Sequence, residues 1–283
     1  MSLSPPHLMT ILKERGIVAK KSLGQNFLLD FNITRRIISH EKSLEDFIVL
    51  EIGPGPGGLS WAILEKNPKL LIMIEKDKDF IDHLNNFLSP LKKNIEINNE
   101  DATKYDINKI SERFPENKIK IIANLPYNIS TVLLCKWLND LKNIDSMTLM
   151  FQKEVAKRIT ASPHCKDYGR LSILCQYLCE CKSAYELPAS CFTPSPKVDS
   201  SVVYFSPRKL TQSDMNLLPF VKKITHTAFL KRRKMIRQSL KGLISDEIFE
   251  KCKIDTTLRA ENLTIENYKD IAKYLYEKSI IVS

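Results

Sequence analysis

Two hydrophobic patterns alternate along the first two thirds of the chain. Short β-prone runs read as strands: Phe47–Ile52 (a buried-strand pattern), Leu70–Ile74, Asn94–Asn98, Lys118–Ala123 and Ser146–Phe151. Between and after them, apolar residues recur every three or four positions, which predicts helices. These cover Phe31–Ser39, Leu59–Lys66, Lys78–Leu88, Ile129–Leu141, Gln152–Thr160 and Arg170–Cys179. Regular strand–helix alternation predicts an α/β fold with a doubly wound parallel sheet. Ser183–Leu187 and Ser201–Phe205 suit an edge hairpin, joined by a proline-rich loop. A short helix is expected at His7–Arg15, followed by a basic turn at Lys20 and Lys21. From Arg208 onward no strand pattern remains, and Asp214–Phe229, Arg232–Leu243 and Thr264–Lys278 read as amphipathic helices. The pattern therefore divides the chain into an α/β domain over 1–207 and an all-helical domain over 208–283.

The strand ends carry the candidate chemistry, because open α/β sheets bind ligands beyond the carboxyl ends of their strands. The first main strand runs into Gly53-Pro54-Gly55-Pro56-Gly57-Gly58, which holds four of the eight glycines in the chain. Strand, glycine turn and helix together form a nucleotide cradle. Glu75 ends the next strand, where a carboxylate can take both ribose hydroxyls of an adenosine; an ordinary strand-end carboxylate is the alternative. Asp101 follows the third strand and can accept from an adenine amino group, or be a surface turn residue. After the fourth strand comes Asn124-Leu125-Pro126-Tyr127. The exocyclic amine of adenine is a poor nucleophile, its lone pair delocalised into the ring. The Asn124 side-chain oxygen and the Pro126 carbonyl, aimed at its hydrogens, favour a pyramidal nitrogen. Tyr127 can stack on the base; the plainer alternative is a loop start with a half-buried aromatic.

Charge adds a partner. The formal net charge is +10, and Phe229–Lys241 carries six basic residues and no acidic one. Uncompensated like charges repel unless phosphates neutralise them, so Lys231, Arg232, Arg233 and Lys234 are candidate nucleic-acid contacts. The seven cysteines include no CxxC pair, and Cys175, Cys179 and Cys181 read as reduced, buried positions in a helix-like stretch, with no metal site. No apolar run approaches a membrane span, and Met1–Pro6 has no signal layout, so a cytoplasmic protein with no membrane partner is expected.

In combination, several stretches resemble the ribosomal RNA adenine N6,N6-dimethyltransferase family of S-adenosylmethionine enzymes, in its branch acting on the bacterial small-subunit (16S) RNA. They are Gly24-Gln25-Asn26-Phe27-Leu28, Glu51-Ile52-Gly53-Pro54-Gly55, Glu75, Asp101, Asn124 through Ile129, Phe192 through Ser200, and Phe229 through Lys234. The resemblance implies a seven-stranded methyltransferase sheet with a small helical C-terminal domain that binds rRNA. It makes Asn26 and Leu28 a cofactor clasp and Gly53, Glu75, Asp101 and Asn124 the other cofactor contacts. Tyr127, with Phe192 on the opposite face, would hold the target adenine. The implied activity is dimethylation of two adjacent adenines in a 16S rRNA hairpin during 30S assembly, by a monomer. Gln25, Pro56 and Ser239 depart from the family pattern. Three rivals are weighed against this reading. An NAD-dependent oxidoreductase leaves Asn124–Tyr127 and the basic run without a role. A large-subunit dimethylase fits the helical tail and the Phe192–Ser200 loop less well. A non-enzymatic assembly protein would not need the intact cofactor set.

Overall fold

Ile48, Val49 and Leu50 are wholly buried at the centre of a seven-stranded sheet. The computed structural model describes residues 5, 7–41, 43–91 and 93–282; residues 1–4, part of the stretch without a signal layout, lie outside it. In chain order the strands are β1 (Phe27–Leu28), β2 (Ile48–Ile52), β3 (Leu70–Glu75), β4 (Ile95–Asn99) and β5 (Ile119–Asn124). They continue with β6 (Ile144–Gln152), β7 (Cys179–Leu187), β8 (Phe192–Thr193) and β9 (Ser200–Pro207). The helices begin with α1 (Leu8–Glu14), α2 (Phe31–Ile38), α3 (Gly58–Glu65), α4 (Asp79–Leu88), α5 (Asn108–Arg113) and α6 (Ser130–Leu138). They end with α7 (Lys153–Thr160), α8 (Arg170–Leu178), α9 (Gln212–Leu230), α10 (Ile236–Ser239), α11 (Asp246–Lys251) and α12 (Ile265–Val282).

The sheet order is β4-β3-β2-β5-β6-β9-β7. Strands β4 through β6 pair in parallel, and β9 pairs with β6 antiparallel. The chain leaves β2 outward through β3 and β4, then returns to the other side of β2 as β5. That reversal is a topological switch point, and it opens a crevice between Gly53 and Asn124. Burial explains why the central strands read as continuous apolar runs: every residue of β2 and β3 is buried. Each such Ile, Val or Leu contributes about 1.5–3 kcal/mol relative to exposure. A two-stranded sheet, β1 with β8, pairs Leu28 with Phe192. Neither it nor the short helices α5 and α11 is foreseen in the sequence.

Two compact units emerge, and their division corrects the expected boundary. One unit runs to Ala156 and resumes over Lys182–Pro207; the other combines Lys157–Cys181 with the chain from Arg208 onward. Helix α8 belongs with the C-terminal helices because its bonds go there. The Tyr177 hydroxyl donates to the Asp214 carbonyl at 2.7 Å, and Arg208 Nε donates to the Gln176 carbonyl at 3.0 Å. An apolar helix does not announce in its sequence which core it joins. Cys179 and Cys181 lie on β7 and not on a helix.

The helix expected over Arg232–Leu243 shortens to the single turn of α10. Met235 instead bridges Arg259, and the Ile236 amide donates to the Leu258 carbonyl at 2.6 Å. These bonds to a distant segment replace the helical ones. No helix among the described residues is long and apolar enough to cross a membrane.

Candidate active site

Five segments of the first unit meet around a cavity of about 290 Å³: 22–28, 51–59, 74–76, 100–103 and 124–129. Asn26, Leu28, Gly53, Glu75, Asp101, Asn124, Pro126 and Tyr127 all line it. Local backbone geometry makes the convergence possible. Gly53 has φ +64°, and the Pro126 ring would stand 3.5 Å from a Cβ placed there. At Gly58 a Cβ would lie 2.7 Å from the Leu28 carbonyl oxygen, so only glycine lets the N-terminal segment approach α3 so closely.

Asn124 ends β5, and its Nδ2 donates to the Asn26 carbonyl at 3.1 Å. Because a carbonyl can only accept, this bond assigns the amide orientation and leaves Oδ1 as a free acceptor. The Pro126 carbonyl accepts from the Ile129 amide at 3.1 Å and retains its second lone pair. Tyr127 is half-buried; its hydroxyl meets Ser200 Oγ at 2.6 Å, and burial pushes its pKa above the ordinary value. Its carbonyl accepts from Ser130 Oγ at 3.1 Å.

Glu75 is 5% exposed and bonded on both oxygens. Oε2 accepts from the Gly55 amide at 3.1 Å, and Oε1 accepts from the Asp77 amide at 2.7 Å. Burial raises its pKa, opposed by those amides. Asp101 has the opposite shift: Lys76 and Thr103 hold its carboxyl well below the usual range. Lys76 Nζ is 2.9 Å from Oδ2, and Thr103 bonds Oδ1 through its amide and its hydroxyl.

The N-terminal segment is latched shut by residues with no role in the sequence reading. Lys20 Nζ lies 2.6 Å from Asp77 Oδ1 and 2.7 Å from Asp79 Oδ2. Gln25 donates to Asp77 Oδ2 at 3.0 Å and accepts from the Lys20 amide at 2.7 Å. Burial would raise the Asp77 carboxyl, but the bonds from Lys20 and Gln25 outweigh it and hold the pKa low. Gln25, a departure from the family pattern, thus has a defined bonding role. Lys136 on α6 is a second unforeseen residue. Its Nζ donates to the carbonyls of Thr103 at 2.9 Å and Tyr105 at 2.6 Å, fixing the turn that carries Asp101. A lone lysine within a helix offers no sequence signal for this.

Phe192 is not brought to the cavity. It is 3% exposed and belongs to the hydrophobic cluster with Phe27 and Leu28. Pairing of β8 with β1 sets Phe192 opposite Leu28, within the packing beneath the cavity wall.

In the second unit, Lys231, Arg232, Arg233 and Lys234 form an exposed turn between α9 and α10. Ser239 stands within hydrogen-bond distance of the carbonyls of Lys231 at 3.2 Å and Met235 at 3.1 Å, so its hydroxyl braces the turn. The run is not uncompensated in space, contrary to the linear reading. Arg232 Nε pairs with Glu261 at 2.6 Å, and its guanidinium also donates to the carbonyls of Lys166 and Tyr168. Arg237 pairs with Asp246 at 2.7 Å. Both acidic partners come later in the chain, invisible to a local charge count. Lys231, Arg233 and Lys234 make no ion pair among the described residues.

Known proteins resemble this chain in sequence and fold. The family model described as "Ribosomal RNA adenine dimethylase" matches residues 17–277. Ribosomal RNA small subunit methyltransferase A of Wolbachia sp. subsp. Drosophila simulans (strain wRi) is 45% identical over 259 residues, covering 91% of this chain and 93% of its own. Among solved structures, a dimethyladenosine transferase from Plasmodium falciparum superposes with a TM-score of 0.75 at 25% identity, covering 88% of this chain and 96% of its own. The 23S rRNA methyltransferase ErmE shares the fold, with a TM-score of 0.70 at 23% identity over 88% of this chain and 99% of its own.

Proposed function

The chain belongs to the ribosomal RNA adenine dimethylase family, and from that premise we propose that it dimethylates the N6 amines of two adjacent adenines in a small-subunit (16S) rRNA hairpin. The methyl donor in this reading is S-adenosylmethionine, and the setting is 30S assembly in the cytoplasm, with the enzyme acting as a monomer. The 45% identity to a small-subunit methyltransferase favours that substrate over large-subunit RNA.

The cavity suits the cofactor on its own chemistry. Glu75 keeps a lone pair on each oxygen for two ribose hydroxyls, since each accepts only one backbone N–H. Asp101, charged and fixed by Thr103 and Lys76, suits an adenine amino group. Asn26, Leu28 and Gly53 close the remaining wall. When bound, S-adenosylmethionine supplies an electrophilic methyl group on a sulfonium.

The observation that carries the proposal is the pinned amide of Asn124. With Nδ2 committed to the Asn26 carbonyl, Oδ1 and the Pro126 carbonyl form a pair of acceptors set before substrate arrives. They draw the amine hydrogens and favour a pyramidal nitrogen, which is preorganised electrostatic catalysis. Tyr127, its hydroxyl held by Ser200, offers a fixed ring for stacking. The carboxylates on the cavity wall arrive from other strands, and none bonds to Asn124–Tyr127 among the described residues; the alkylated amine, being acidic, loses its proton to water. Lys231, Arg233 and Lys234 carry phosphate contacts in this reading, and Phe192 supports the clasp through packing.

A tritiated-methyl assay on undermethylated small subunits, with large subunits and free rRNA alongside, tests the proposal. Incorporation into small-subunit RNA as N6,N6-dimethyladenosine is expected. Labelling confined to large-subunit RNA, or none, contradicts it.

A further inference from the structure

Helix α4 backs the glycine turn of the cavity and meets it at two neighbouring residues. A Cβ at Gly57 would stand 2.9 Å from Leu84 Cδ2 and 3.1 Å from Phe87 Cδ1, so the turn rests directly on this helix. One residue earlier, the Pro56 carbonyl lies 3.0 Å from His83 Nε2. Because a carbonyl can only accept, this bond places a proton on Nε2. Proline at 56 has no N–H of its own, so the carbonyl is its one polar handle. The other ties of the turn are amides: Gly53 to the Ile74 carbonyl at 2.9 Å, Gly57 to the Pro54 carbonyl at 3.0 Å, and Gly55 to Glu75. Among the described residues, His83 is the one side chain that donates to it.

His83 has no part in the roles above, and packing does not account for it. It is 1% exposed, stacked on Phe87 with ring centroids 5.5 Å apart and edge-on to Phe80 at 6.2 Å. Its Nδ1 is buried without a hydrogen-bond partner. Burial lowers its pKa, the bond to Pro56 opposes this, and the Arg15 charge adds to the lowering, so the ring is neutral at pH 7. A phenyl ring would fill the same apolar space with no orphaned nitrogen, and proteins rarely leave buried polar atoms unpaired. What histidine adds here is the donor on Nε2. The same helix also reaches the clasp, since Phe80 meets Phe27 edge-on at 5.3 Å.

We propose that His83 is a positioning residue for the cofactor: its Nε2–H fixes the Pro56 carbonyl, and with it the glycine turn, in the shape that receives S-adenosylmethionine. His83 does not line the cavity and touches no reacting atom. Without the tie, the turn gains freedom that binding must then remove. Coupling is reciprocal, so cofactor binding also tightens the tie. This inference rests on the S-adenosylmethionine reading and adds to it a residue behind the cavity wall.

Titration calorimetry with S-adenosylhomocysteine, beside thermal melts, separates the donor from the ring in two variants. His83→Phe keeps the stacking and loses the donor; its affinity should fall by about three- to tenfold while its melting temperature stays close to wild type. His83→Gln keeps an N–H at similar reach and loses the ring; its melting temperature should fall while its affinity holds. Wild-type affinity in His83→Phe overturns the proposal. So does affinity that follows melting temperature across both variants, the outcome of a purely structural histidine. If a variant does not fold, the wild type decides. Nitrogen-15 signals of His83 should show a proton on Nε2 that exchanges with water more slowly once S-adenosylhomocysteine binds. A ring protonated on Nδ1 instead, or exchange indifferent to the ligand, overturns the proposal. Failure of S-adenosylhomocysteine to bind the wild type at all is a different result: it removes the cofactor reading and this inference with it.

Discussion

Asn124 and Asn26, 98 residues apart in sequence, are joined by a 3.1 Å bond from side-chain amide to backbone carbonyl. The end of β5 and the N-terminal clasp are therefore one unit. The oxygen left on Asn124 is aimed by a backbone group that cannot reverse its polarity.

Glu75→Ala removes a buried carboxylate with two backbone donors and, when loaded, two ribose hydroxyls. Hydrogen bonds to charged groups contribute about 1.5–3 kcal/mol. Calorimetry with S-adenosylhomocysteine should show affinity reduced by about 10–150-fold. Unchanged affinity, or binding of NAD instead, contradicts the cofactor assignment.

Tyr127 separates ring from hydroxyl. Tyr127→Phe keeps the stacking face and loses the bond to Ser200, so most turnover should survive with a stability loss of about 0.5–1.5 kcal/mol. Tyr127→Ala forfeits stacking of about 1–3 kcal/mol. Single-turnover methylation beside thermal melts checks both, and equal activity losses in the two variants would deny the stacking role.

The basic turn should divide by partner. Replacing Lys231, Arg233 or Lys234 by alanine should weaken RNA binding and flatten its salt dependence by about one slope unit per phosphate contact. Arg232→Ala should mainly lower the melting temperature, because its guanidinium holds Glu261 and the carbonyls of Lys166 and Tyr168. Equal salt slopes in all four variants and the wild type would make the turn a solvated surface.

Much of the α/β order is legible in the sequence because the β2 and β3 runs are buried and continuous, and each ends at a chemically marked residue such as Gly53 or Glu75. What is hidden depends on distant partners. Phe192 reads either as a pocket-mouth aromatic or as a core residue; it is buried opposite Leu28, and no local pattern reports the two-residue strand that puts it there. Arg232 reads as a free charge because Glu261 lies 29 residues away. Helix α8 has an apolar face in either unit, and only the bonds of Tyr177 and Gln176 assign it. Glu51 sits in plain view before the glycines, but the burial of its Oε2 without a hydrogen-bond partner shows only in three dimensions.

Glu51, 1% exposed on β2, predicts a stability profile. Its folded pKa of about 8 is above the unfolded value of about 4.3. The folded state thus binds the proton more tightly, and the contribution present below about pH 4.3 is lost as pH rises toward 8. The slope from one such group is at most about 1.4 kcal/mol per unit. Denaturant unfolding of the ligand-free protein from pH 5 to 8 should show Glu51→Gln gaining stability relative to wild type. Parallel curves contradict the buried, protonated acid.

The central claim is that Asn124 acts on the amine in the transition state, and single-turnover methylation by Asn124→Ala, measured beside subunit binding, tests it most directly. Methyl transfer should fall by about 10²–10³, the cost of removing one preorganised polar group, while subunit affinity holds. Wild-type turnover in the variant would contradict the mechanism, and parallel loss of binding and turnover would make Asn124 a structural tie to Asn26.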